Sequence, residues 1–163
     1  MDLLVRMVEH HIWLVEAMLT RAATLNDDRL DAAITLSVQG VDDHPTLRSL
    51  LSRLVGQMDM WNAAMTGRDY DFAVERAETV PHQRQRLAEV GPAFLGQVRD
   101  ACAQGRLEEA LVCPGEPVEV YTLGGVIAHV LTFAAHRRTL VAGALHDAGL
   151  DDLDGGDPIR WIA

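Results

Sequence analysis

Leucine and methionine recur at three- and four-residue intervals through the middle of the first half of the chain: Leu47, Leu50, Leu51, Leu54, Met58, Trp61 and Met65. That period lines them up on one face of an α-helix. A helix with one apolar face must bury it against another element. The pattern predicts a helix that opens at Asp43 or His44 as cap, carries Pro45 in its first turn, and stops at Gly67. Three more segments read as helices. Residues 2–25 place Leu4, Met7, His11, Leu14 and Met18 at helical spacing and end at Asn26-Asp27-Asp28. Residues 81–104 form another, with Gly105 after it and Gly91-Pro92 inside, where a kink or break is expected. The last runs from Thr122, its N-cap, to Ala148, with Gly149 just past the end.

The connections carry the opposite signals. Residues 34–43 hold Thr, Val and Gly and read as a loop with a short extended piece. Residues 113–121 contain two prolines and a glycine and read as a loop. The tail, residues 151–163, is rich in Asp and Gly, but Ile159, Trp161 and Ile162 are expected to pack back on the helices. Four amphipathic helices with few strand signals predict an all-α four-helix bundle, one domain spanning residues 1–163.

Composition narrows the function classes. With 48% apolar residues, a 163-residue chain can build a sizeable core. No apolar run reaches the roughly 20 residues that cross a bilayer. The first residues lack a basic region and a small-residue cleavage site, so the expected location is cytoplasmic. The net charge of −10 disfavours nucleic acid and anionic membrane surfaces, which need clustered cations. All the cations of the Lys/Arg class are arginine, which excludes a lysine nucleophile. Cys102 and Cys113 form no C-x-x-C pair and read as free thiols.

Histidine and arginine are the residues that could carry chemistry. Two ligands on one helix need i,i+3 or i,i+4 spacing to meet at one ion. None of the seven histidines pairs that way. His10 and His11 are adjacent and diverge by about 100°. His129 and His136 share a face but lie about 10.5 Å apart along the axis, too far for bonds of about 2 Å. A site drawn from two helices stays open, with His11, His129 and His136 as its donors; the alternative is hydrogen-bonded histidines at the core edge. Arg137 falls on the apolar side of its helix, and Arg53 adjoins Leu54. Either both heads reach solvent at a bundle end, or they form a pocket for an anion or carboxylate. Phosphate-loop, nucleophile-elbow, dinucleotide and zinc-protease motifs are absent from the sequence.

Three segments, in order, resemble the DinB/YfiT-like family. His11-Ile12-Trp13-Leu14 is similar to its H/N-x-W opening. Leu50-Leu51-Ser52-Arg53-Leu54-Val55 is similar to its second-helix LLxHLV. The stretch from His129 to Arg138 is similar to its fourth-helix HVxxHxxHHRG. The resemblance implies an up-down-down-up bundle and a homodimer. In that family one histidine on the second helix and an H-x-x-x-H pair on the fourth hold a divalent metal, Zn or Ni. Intact members include transferases and an isomerase dependent on low-molecular-weight thiols. Here the corresponding positions are Arg53, Phe133 and Arg137, none of which supplies a neutral nitrogen, thiolate or carboxylate. At about 6 Å and an effective dielectric of 20, each arginine would oppose a dication by roughly 5.5 kcal/mol. The expectation is therefore a metal-free binding or structural bundle, with His11, Arg53, Phe133 and Arg137 lining a pocket for a small anionic ligand. Asp59 or another acid could fill that pocket instead. The alternative is a metal-dependent thiol transferase or isomerase using His11 with His129 or His136. Phe133 is expected to be fully buried.

Overall fold

The computed structural model describes residues 2–35, 42, 45–76, 78–113, 117–150, 153 and 156–161. In chain order its elements are helix α1 (Leu3–Ala22), a one-turn helix α2 (Asp27–Leu30), helix α3 (Leu47–Met65), a 3-10 turn (Phe72–Glu75), helix α4 (Val80–Ala103), strands β1 (Ala110–Cys113) and β2 (Glu119–Thr122), and helix α5 (Leu123–Asp147). The chain is mainly helical, and among the described residues the one small sheet is the antiparallel β1–β2 pair.

Each long helix starts on a side chain that answers its first free amides. Asp2 accepts from the Leu4 amide, Thr79 from His82 and Thr122 from Gly125. Thr46 and Ser49 form a reciprocal capping box at the head of α3. This start differs from the expected one, because Pro45 lies before the cap and not in the first turn. Asp43 and His44 lie outside the described residues. The C-terminal ends behave as expected, with Gly67 (φ 67°) following α3 and Gly149 (φ 79°) following α5.

Three expectations are corrected. Helix α4 runs unbroken through Gly91-Pro92. The flank of Gly91 lies against Ile12 of α1, where a Cβ would sit 3.0 Å from a methyl carbon. Tertiary packing there outweighs the missing proline amide. Asn26 does not merely end α1; its side chain caps α2 by accepting from the Arg29 amide. Cys113 and residues 119–121, expected as loop, belong to the strands 110–113 and 119–122, with Val112 opposite Val120. The β-branched residues outweigh the nearby prolines, whose segment 114–116 lies outside the described residues.

The core lies where the four long helices meet. Val8, Val15 and Leu19 of α1 are buried with Leu50, Leu51, Leu54 and Met58 of α3, Phe94 and Val98 of α4, and Ile127, Val141 and Leu145 of α5. Full burial of each such side chain stabilises by about 1.5–3 kcal/mol. Charged pairs register the helices at the rim: Arg99 donates to Glu9, and Arg84 to Glu16. On the other flank of α4 the Gln83 side chain donates to the Arg48 carbonyl, so the first turns of α3 and α4 lie together.

Beside this contact is a buried polar network that the sequence reading did not single out. Arg86 donates through Nε and NH2 to the two oxygens of Glu78, at 2.9 and 2.7 Å. The Glu78 carboxylate has no exposed surface. It also accepts from Ser52 Oγ at 2.6 Å. Arg86 further donates to the Ser52 carbonyl and to the Tyr70 hydroxyl, and lies 3.5 Å from Asp59. Tyr70 in turn donates to Glu75. Gly56 allows this approach to α3, since a Cβ there would collide with the Glu75 carboxylate.

Removing Glu78 leaves a buried guanidinium without its counter-charge. Glu78→Ala should cost about 3–5 kcal/mol in chemical denaturation, and Glu78→Gln less. A loss under about 1 kcal/mol would mean the pair is open to water.

Candidate ligand-binding site

Of the residues singled out in the sequence, Arg137 meets α3 through Gln57 and His129 meets it through Trp61, while His11 stands apart on α1. Arg53, Gln57 and Trp61 are four residues apart on α3, and His129, Phe133 and Arg137 are four apart on α5. Arg137 is buried, and neither guanidinium simply reaches solvent. Its Nε donates to Asp42 at 2.8 Å and its NH1 to Gln57 Oε1 at 2.9 Å. Arg53 is half-buried, donates to Glu75 at 2.5 Å, and lies 5.5 Å from the centre of the Phe72 ring. The acids that answer these charges are Asp42 and Glu75; Asp59 turns to Arg86 instead.

An aromatic row covers the pair. His129 packs against Trp61 and, at 4.4 Å between ring centres, against Phe133. Trp61 also meets Tyr121 of β2 edge-to-face. Burial holds the His129 pKa below its ordinary value, and the charges of Arg137 and Arg53 lower it further. Phe133 is half-buried rather than fully buried, because it stands on the rim between His129 and His136.

A divalent metal does not fit these residues. Arg53, Phe133 and Arg137 offer two guanidinium groups and a benzene ring. Arg137 is already in an ion pair that a dication would have to break. Among the described residues no group of three His, Cys, Asp or Glu side chains could hold a metal.

A cavity lies elsewhere, between α1, α5 and the C-terminal segment. It has a volume of about 690 Å³. Leu3, Arg6, Met7 and His10 form its α1 wall; Leu131, Thr132, Ala135, His136 and Arg138 form its α5 wall. Gly156, Pro158 and Trp161 close it from the tail. His11, Arg53, Phe133 and Arg137 are not part of these walls. The tail does pack back, as expected: Trp161 meets His10 edge-to-face at 5.4 Å and receives the Arg6 guanidinium 4.3 Å over its ring. Ile159 departs from that expectation and is exposed, and Ile162 lies outside the described residues. Gly156 lies so close to Leu14 that no side chain fits, which draws the tail tight to α1.

His11 sits behind this cavity, in full burial. Its Nδ1 is 2.6 Å from Arg138 NH1. A guanidinium has donors and no acceptor, so Nδ1 carries the lone pair and Nε2 the proton. That Nε2 is buried without a hydrogen-bond partner among the described residues. Burial, then the Arg138 charge and His10, pull the His11 pKa down to about 3. His10 is lowered in the same direction by burial and by Arg138, against an opposing backbone hydrogen bond to Gly156 and the charge of Asp157.

The signal for this cavity was present but weak. Leu3, Met7 and His10 make a second stripe on α1, beside the core stripe. Leu131, Ala135 and Arg138 do the same on α5, a helix with apolar residues on more than one face. Helical spacing cannot tell a second stripe from the edge of the first. No family model, curated protein or solved structure matches the chain.

Phe133→Ala should cost about 1–2 kcal/mol, not the 3–5 kcal/mol of a fully packed ring; denaturation of the variant measures it. His11 predicts a pH dependence. Above about 6.5 the ring is neutral in both states. As pH falls toward about 3, the unfolded chain binds a proton that the folded chain refuses, so stability declines across that window. His11→Asn should remove up to one proton from the slope of stability against pH. An unchanged slope would mean that the ring is not held neutral by the fold.

Proposed function

We propose that the protein is a metal-free small-molecule-binding bundle of the DinB/YfiT-like type, and that its ligand occupies the cavity between α1, α5 and the tail. Cross-helix contacts support an up-down-down-up course. Glu9 with Arg99 and Glu16 with Arg84 set α1 against α4 in opposite directions. Gln57 with Arg137 and Trp61 with His129 do the same for α3 and α5. Gln83 with Arg48 and Arg86 with Ser52 run α3 and α4 the same way.

The observation that carries the reading is a cavity of about 690 Å³ with mostly apolar walls. Pockets for small organic ligands occupy about 300–1,000 Å³ and combine apolar lining with a few polar groups. The charged groups between α3, α4 and α5 are already paired, Arg53 and Arg137 with Glu75 and Asp42, and Glu78 with Arg86.

Nile red, a neutral apolar dye, tests this. It should bind saturably at one site per chain and brighten on binding. Ala135→Trp, which fills the α5 wall from an exposed position, should weaken it at least tenfold without lowering the melting temperature. Absence of binding, or a dimer that Ala135→Trp converts to monomer, would overturn the reading, the latter by showing that a second copy covers the groove.

A further inference from the structure

Resting on that reading of the cavity, we propose that its ligand is an amphipathic monocarboxylate whose head group is held by Arg138. Two cations line the cavity walls, and they differ in how their charge is answered. Arg6 pairs with Glu9 at 3.1 Å and stacks over Trp161. Arg138 is largely withdrawn from solvent, and no carboxylate among the described residues lies within ion-pair distance of it. Its one hydrogen-bond contact there is the lone pair of His11 Nδ1. Burying a guanidinium against a neutral acceptor leaves its charge uncompensated, a costly arrangement unless an anion completes it.

The geometry also selects the anion. NH1 is held by His11, which fixes the plane of the fork. The other edge, Nε and NH2, makes no hydrogen bond to the described residues. That edge presents two parallel N–H groups, the pattern that matches the two oxygens of one carboxylate. A single arginine edge suits a singly charged head. A doubly charged phosphate would bring a second negative charge into a chain of net charge −10, and the other cation of the walls, Arg6, is already paired with Glu9. Two acids beside the cavity, among the described residues, also argue for one anion only. Glu9 is already bound by Arg6 and Arg99, and Asp157 lies near enough to act on His10. The rest of the ligand follows from the other walls. Leu3, Met7 and Leu131 offer no hydrogen bonds to a small hydrated ion, and the volume far exceeds one. An alkyl or aromatic body fills it and removes water from those walls.

Displacement of Nile red by decanoate and by decanol separates the head from the body. Decanol is the more hydrophobic of the two, so apolar burial alone favours it. The proposal expects decanoate to compete at least tenfold better on the unaltered chain, as a charge-assisted hydrogen bond requires. Arg138→Gln should abolish that preference while leaving decanol unchanged, and Arg138→Lys should restore part of it. If Arg138→Gln unfolds, the comparison on the unaltered chain still decides. Nile red bound with decanoate no better than decanol would overturn the carboxylate and leave the cavity reading intact. Nile red not bound would overturn both.

Discussion

Arg86 reaches from the second turn of α4 to the backbone of α3 and grips Glu78, a carboxylate with no exposed surface. The whole arrangement of the middle of the chain follows from this contact. An isolated charge of either sign could not stay in such a place, since the cost of removing it from water exceeds anything a nearby dipole returns. Together the two are tolerable because the fork of Arg86 meets both oxygens of Glu78 and Ser52 supplies one further donor. Glu78 lies just before α4, so the pair fixes where that helix begins. It also draws the connection from α3 over the face of Gly56, carrying Tyr70 and Glu75 with it. Arg53 then has its acid. A hydrophobic pair at 78 and 86 could be as stable, but it would not specify which turn of α4 lies beside which turn of α3.

The helices were legible in the sequence from their apolar spacing and from a few end signals, although the cap of α3 proved to be Thr46. Thr122 and Gly149 bracket α5, and Gly67 ends α3, through backbone rules that act within a few residues. What was not legible depends on partners far along the chain. Pro92 signals a break locally, and only the packing of Gly91 on Ile12 shows why α4 continues. Val112 and Val120 sit in a segment punctuated by proline, and their pairing across the sheet needs both strands at once. Glu78 is an ordinary surface residue by type; its burial follows from Arg86, eight positions on and in a different setting. Spacing placed Arg137 on the inner side of α5, but the acids that meet Arg137 and Arg53, Asp42 and Glu75, could not be read from spacing.

Arg137 and Arg138 show how far one step along a helix can separate two roles. Neighbours diverge by about 100° around the axis. Arg137 therefore faces α3, where Asp42 and Gln57 complete its hydrogen bonds. Arg138 faces α1, where it meets a histidine held neutral by the same burial that strips the guanidinium of water. The two effects reinforce each other. A proton on His11 would set two cations 2.6 Å apart, so the arginine keeps the ring neutral and the neutral ring leaves the arginine its full charge. A carboxylate in place of His11 would have formed a closed ion pair like that of Arg86 and left nothing for a ligand to satisfy. A histidine orients the fork without cancelling it, and the α1–α5 cavity inherits a positive end inside an acidic protein.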